Sequence, residues 1–131
     1  MRSNMQQKNV FEYSVIRVVP RVERGEFLNV GVIVFSKSAS FLGLKYVVPE
    51  EKLRALYEEI DLEEIRCHLE AFEKICKGNP EGGPIAELDL PSRFRWLTAK
   101  RSTMIQCSEV HPGLSPDAFQ TLEKLFMELV S

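Results

Sequence analysis

The sequence predicts an α+β domain: an antiparallel four-stranded sheet in the order βββααβα, covered by helices as a two-layer sandwich. Two observations predict it. Three apolar segments rich in β-branched and aromatic residues follow one another before Pro49, with only short turn-like stretches between them. After Pro49 the apolar residues recur at helical spacing, and one further alternating segment precedes a last helical stripe.

VFEYSVIRVV, Val10 to Val19, is the first strand and stops at Pro20. Leu28 to Phe35 is the second; it is almost wholly apolar, as in a central strand covered on both faces or set against a partner. The stretch between Pro20 and Phe27 is longer than the tightest hairpin turns. Ser36 to Ser40 is a small-residue turn, and Phe41 to Val48 makes the third strand of a meander. Leu53, Leu56, Tyr57 and Ile60 then mark one helix, opened by Pro49. Asp61 with Glu64 forms a capping arrangement for another, whose stripe is Leu62, Ile65, Leu69, Phe72 and Ile75 and whose stop is Gly78. GNPEGGP, Gly78 to Pro84, is turn chemistry without the Lys-Ser/Thr ending of a phosphate loop. Ser92 to Lys100 suits a short helix around Phe94, Trp96 and Leu97. Thr103 to Val110 alternates as a fourth strand, ended by Pro112-Gly113. Ser115 and Pro116 then open the last helix, with Phe119, Leu122, Phe126 and Leu129 on its core face.

The chain has 131 residues, 44% hydrophobic and 27% charged, ordinary values for one globular domain. Residues 1–9 are expected to be a flexible tail and 10–131 a single α+β domain. The N-terminus lacks the apolar core of a secretory signal, and no stretch matches a membrane span, so the expected location is the cytoplasm. Cys67, Cys76 and Cys107 form no CxxC pair and are expected as structural thiols; neither a metal site nor a cofactor is expected. The net charge of −2 conceals segregation: Glu50 to Lys74 is acid-rich, whereas Pro91 to Ser108 carries Arg93, Arg95, Lys100 and Arg101 and no acid. A small local basic surface fits this pattern, and a general nucleic-acid coat does not.

Several polar residues stand out against these strands. Alternation puts Arg17 on one face of the first strand with Tyr13, Val15 and Val19, so a carboxylate is expected near it; Glu26, in the hairpin, is the candidate. The pair either fixes the loop or frames an anion, with Arg21 and Arg24 adding charge. Alternation also groups Asn29 with Gly31, Ile33 and Phe35, a polar notch that braces the turn or admits a ligand. Trp96 is either a core plug or a stacking platform between basic residues. Arg101, Ser102, Thr103 and Gln106 cluster donors at the start of the fourth strand, Arg101 being the best candidate for a phosphate or carboxylate. His111 is a candidate acid or base, but Cys107 lies about 13 Å along the strand, too far for a dyad. His68 sits among glutamates on a helix and is expected to be exposed.

YSVIRVVPRVERGEFLNVGVIVF, followed by FRWLTAKRSTMIQCSEVHPG, resembles the bacterial family called domain of unknown function 3037 over nearly the whole chain. The family pattern falls on Arg17 and Pro20, on Gly25, Glu26, Asn29 and Gly31, and on Arg101, Ser102, Thr103, Gln106 and His111. Lys100 and Glu109 stand where the pattern has prolines. The resemblance transfers no activity; the gene neighbourhood of the family implies a protein partner, a HipA-like kinase. Two readings follow. One is a non-enzymatic accessory module that binds such a partner. The other is a site for a phosphate-bearing ligand, nucleotide or nucleic acid, or an enzyme, built on Arg17, Arg101, Ser102 and Gln106 with Glu26 or His111 as acid–base groups.

Overall fold

The computed structural model describes residues 8–130. Its elements run β1 (Asn9–Val18), β2 (Leu28–Ser36), β3 (Phe41–Tyr46), α1 (Glu50–Leu56), α2 (Leu62–Lys77), α3 (Leu90–Thr98), β4 (Ile105–Cys107), β5 (His111–Ser115) and α4 (Ala118–Leu129), with two 3₁₀ turns at Pro80–Gly82 and Pro84–Glu87. The α+β class and the antiparallel sheet are as the sequence predicts. Residues 1–7 of the expected tail lie outside the described residues, and Asn9 already belongs to β1.

The sheet has five strands rather than four, in the order β3-β2-β1-β4 with β5 also on β1. β1 is long enough to serve two partners on one edge: Ile16 to Val18 pair with β4, and Asn9 to Tyr13 pair with β5. Pro112 and Gly113 therefore do not end the strand region. Gly113 belongs there because the Phe11 ring lies over it; a Cβ would sit 2.5 Å from Phe11 Cζ. Ser108 bridges the break between β4 and β5. Its N–H donates to Val15 O (2.8 Å), its Oγ accepts from Val15 N (2.8 Å), and its carbonyl accepts from Ser14 Oγ (2.8 Å).

Helices cover both faces, so the layers number three, not two. On one face, α1, α2 and α3 bury Leu53, Leu62, Ile65, Leu69, Phe72, Phe94 and Leu97 against Ile16, Val18, Ile33 and Phe35. On the other, α4 alone places Ala118, Leu122 and Phe126 against Phe11, Val32 and Val34. The near-continuous apolar run of β2 is explained by this double burial. Each fully buried Leu or Phe contributes about 1.5–3 kcal/mol. The α4 stripe is Ala118, Leu122 and Phe126, so Phe119, expected in the core, is 57% exposed. The cap of α4 is Asp117, which accepts from Gln120 N (3.1 Å), rather than Ser115, which is the last residue of β5. The caps of α2 are those expected: Asp61 accepts from Glu64 N (3.1 Å) and Gly78 takes the left-handed conformation (φ 70°).

A bulge re-aims the start of β2. The β1–β2 register passes from Ile16↔Gly31 to Arg17↔Asn29, leaving Val30 as the extra residue. Val30 turns into the α2–α3 core, and Asn29 moves to the α4 face, where its Nδ2 donates to Leu129 O (3.0 Å). Asn29 thus does not share a face with Gly31, Ile33 and Phe35. Gly31 leaves no room for a ligand either: a Cβ there would meet Lys45 O at 2.8 Å and Tyr46 Cβ at 2.9 Å.

Candidate functional site: a basic hollow at β4

The bulge has one consequence for the site. Asn29, Arg17 and Gln106 become neighbours across β2, β1 and β4, forming a polar row on the α4 face near the last turn of that helix. Residues 77 positions apart in sequence, Asn29 and Gln106, are joined through Arg17. Beside Arg17 and Gln106 is a hollow of about 210 Å³, also lined by Lys100, Arg101, Cys107, Ser108 and Glu109.

Arg17 does not pair with Glu26. Glu26 is held by Arg24 through two hydrogen bonds, Nε to Oε1 (3.0 Å) and Nη2 to Oε2 (3.2 Å). Two residues apart on a tight loop, they close on each other before either can reach β1. Arg17 instead stacks on Phe27, its Cζ 4.3 Å from the ring centroid. Its Nε is buried without a hydrogen-bond partner, as is Asn29 Oδ1, and Arg17 enters no ion pair among the described residues.

Arg101 is differently employed. Its Nη1 donates to Leu97 O (3.1 Å) and Ala99 O (3.2 Å), and its Nη2 to Trp96 O (2.6 Å). These are carbonyls at the C-terminal end of α3, where a cation also meets the negative end of the helix dipole. Its guanidinium also lies 4.5 Å from the Trp96 ring and 5.4 Å from Phe72. Trp96 edges onto Phe72 and is packed against the core while still lining a second hollow of about 230 Å³ with His68, Phe72, Arg101 and Thr103.

The remaining sequence candidates spread out. Ser102 and Thr103 are exposed; Thr103 Oγ1 donates to Ile105 O (2.9 Å), and Gln106 Nε2 donates to Thr103 O (2.9 Å). Arg21 sits near Glu23 (3.8 Å) and over Tyr57 (5.6 Å) in the exposed hairpin. His111 lies in β5, its ring 5.3 Å from that of Tyr13, and does not line the hollow. The structure therefore gathers Arg17, Asn29, Arg101 and Gln106 and leaves Arg21, Arg24, Glu26, Ser102 and His111 apart from them.

Four lining residues, Lys100, Cys107, Ser108 and Glu109, are not among the binding candidates of the sequence, although Lys100 belongs to the basic run and could have been. Lys100 Nζ donates to Glu109 Oε1 at 2.8 Å on the rim. That hydrogen bond holds the Glu109 carboxyl below its ordinary range and the Lys100 ammonium above its own. Burial pushes the Cys107 thiol up to about 11, against the opposing pull of Arg101, which disfavours the thiolate form. Three cations thus line the hollow with one carboxylate. Among the described residues, no three His, Cys, Asp or Glu side chains gather as metal ligands, and no helix is long and apolar enough to cross a membrane. A larger hollow of about 470 Å³ between β5 and α4 is lined by none of the candidate binding or catalytic residues.

The family model of a protein of unknown function, DUF3037, matches residues 13–130. This chain belongs to that family. The match runs from the middle of β1 to the end of α4, so it covers the hollow, the polar row and both faces of the sheet. No curated protein and no solved structure matches the chain.

Proposed function

We propose that this member of the DUF3037 family is a small accessory binding module that takes an anionic side chain of a protein partner into the hollow at β4. One observation carries the reading: Arg17, half-buried in the sheet, pairs with no carboxylate among the described residues, and a guanidinium in that position calls for an opposite charge. Lys100 on the rim adds attraction, and Gln106 beside Arg17 adds hydrogen-bonding capacity. At about 210 Å³ the hollow falls short of the roughly 300–1,000 Å³ that encloses a whole small ligand. It fits a carboxylate or a phosphorylated side chain better than a nucleotide. His111 and Glu26 stand outside it, which favours binding over catalysis. The partner class implied by the resemblance is a HipA-like kinase.

The test is gel filtration of the chain co-expressed with such a kinase, using wild type, Arg17→Ala and Lys100→Ala. A complex that Arg17→Ala abolishes supports the reading. A wild-type chain that elutes apart from the kinase overturns the partner, and a complex indifferent to Arg17→Ala overturns the site. Calorimetry with inorganic phosphate separates the free-ligand alternative, which requires binding without any protein partner.

A further inference from the structure

The mostly apolar hollow of about 230 Å³ at Trp96 adjoins the basic one at β4, and Arg101 lines both. Phe72, Trp96, Ala71 and Ile105 supply its apolar walls, and His68 and Thr103 its polar ones. The dividing side chain is held in place, because the Arg101 guanidinium is bonded to the carbonyls at the end of α3 and lies over Trp96 and Phe72. β4 sets the spacing of the two hollows. Ile105 lines the apolar one and Cys107 the basic one, two residues apart and about 7 Å along the strand. Residues two apart in any extended segment are separated by the same distance and point the same way.

We propose that the two hollows together receive one extended segment of the protein partner. An anionic side chain of that segment lies beside Arg17, and an aromatic or large aliphatic side chain two residues away lies against Phe72 and Trp96. The proposal rests on the β4 hollow being an anion site and adds a second anchor to it. Charge supports the occupant. Lys100 and Glu109 neutralise one another on the rim, so the charge left at the β4 hollow is that of Arg17 and Arg101. The apolar hollow has Arg101 and His68 in its walls and no carboxylate; Glu64, 3.9 Å from His68, stays outside it. A segment with a basic residue at either position is therefore rejected, and one that pairs an acid with a neutral apolar group is admitted. The apolar hollow has room for one bulky side chain and is too small for a whole ligand. An aromatic anchor in a pocket of this kind is where interfaces concentrate their affinity.

Trp96 is the only tryptophan of the chain, so its fluorescence reports on the apolar hollow directly. The full chain is titrated to about 1 mM with the end-blocked peptide Ser-Gly-Phe-Gly-Glu-Gly-Ser and with its reversal. Controls carry Ala in place of Phe, or Phe directly beside Glu, and calorimetry measures those that leave Trp96 unmoved. One of the two orders is expected to shift Trp96 emission and to bind about tenfold more tightly than its alanine control. Placing Phe beside Glu should remove the gain, since neighbours in an extended segment point opposite ways. Arg17→Ala should weaken every peptide. Ala71→Phe adds a ring to the apolar hollow from an exposed position on α2 and should remove the gain alone. Circular dichroism confirms the fold of both variants, and the spacing control decides if Ala71→Phe does not fold. If the alanine peptide binds as tightly as the phenylalanine one and needs Arg17, the anion site stands and the second anchor falls. If no peptide binds, or if binding ignores Arg17→Ala, the anion site falls and the proposal falls with it. Binding of adenosine monophosphate without any peptide overturns the proposal in favour of a nucleotide.

Discussion

Two arginines line the same hollow and are used in different ways. Arg101 spends its donors on three carbonyls at the end of α3 and lies over two aromatic rings. Arg93 has a comparable task at the end of α2, where its Nη1 donates to Ile75 O and Cys76 O, both at 3.1 Å. Among the described residues, the Arg17 guanidinium has the Phe27 ring and no carbonyl or carboxylate. An unbonded Nε does not by itself separate them, since Arg93 shares that feature. The difference lies in the remaining donors. Those of Arg93 and Arg101 close helix ends, while those of Arg17 meet no acceptor among the described residues. In this fold the conspicuous basic residue of the late block is architectural, and the quieter one on β1 is the candidate for recognition.

The largest expected effect breaks the architectural side of the comparison. Arg101→Ala should lower stability by about 2–4 kcal/mol, read from urea unfolding, because it strands several carbonyls and removes the cation over Trp96 and Phe72. Ser108→Ala comes next, at about 1–3 kcal/mol, since Val15 N–H loses its acceptor in the buried break between β4 and β5. A variant as stable as wild type would show that the break tolerates an unpaired N–H. Arg17→Met should shift stability by less than about 1 kcal/mol in either direction, yet abolish partner binding. A large loss of stability would move Arg17 into the architectural class.

The smallest effect concerns the rim. Glu109→Gln releases Lys100 and should raise sulfate affinity about two- to fivefold in calorimetry. Acidification should act in the same direction on the wild type. The folded carboxyl of Glu109 lies below its ordinary range, so its pairing with Lys100 is complete above the ordinary carboxylate pKa and fades as the pH falls through the lowered one. The Glu109→Gln variant should lack this acid gain.

Much of the fold was legible because its signals are local. Asp61 and Gly78 delimit α2 through caps within a few residues, and the two-sided burial of β2 follows from its own apolar run. β5 was hidden because Pro112 and Gly113 are breakers in isolation; only the Phe11 ring across the ladder explains the glycine. Phe119 was misplaced because Ala118 carries the stripe, one position round the helix, and a small residue leaves a weak hydrophobic signal. At the site, Arg17, Asn29, Arg101 and Gln106 were all nominated, but their relations were not. The bulge at Val30 reverses the face of Asn29, and the Arg24–Glu26 contact removes the expected partner of Arg17. Neither is written in hydrophobic period.

The patch at Ser108 also bears on the order in which the molecule is assembled. Ser14 and Ser108 are 94 residues apart, and the outer side of β1 finds no strand before β4 and β5. On a ribosome the β1–β2–β3 meander emerges early and waits, with one ladder unzipped, for most of the remaining chain. Contacts of such separation slow folding and prolong the exposure of strand edges to neighbouring nascent chains. The last third of the chain is thus a closing seam, and changes there should lower yield during synthesis as well as the stability of the folded protein.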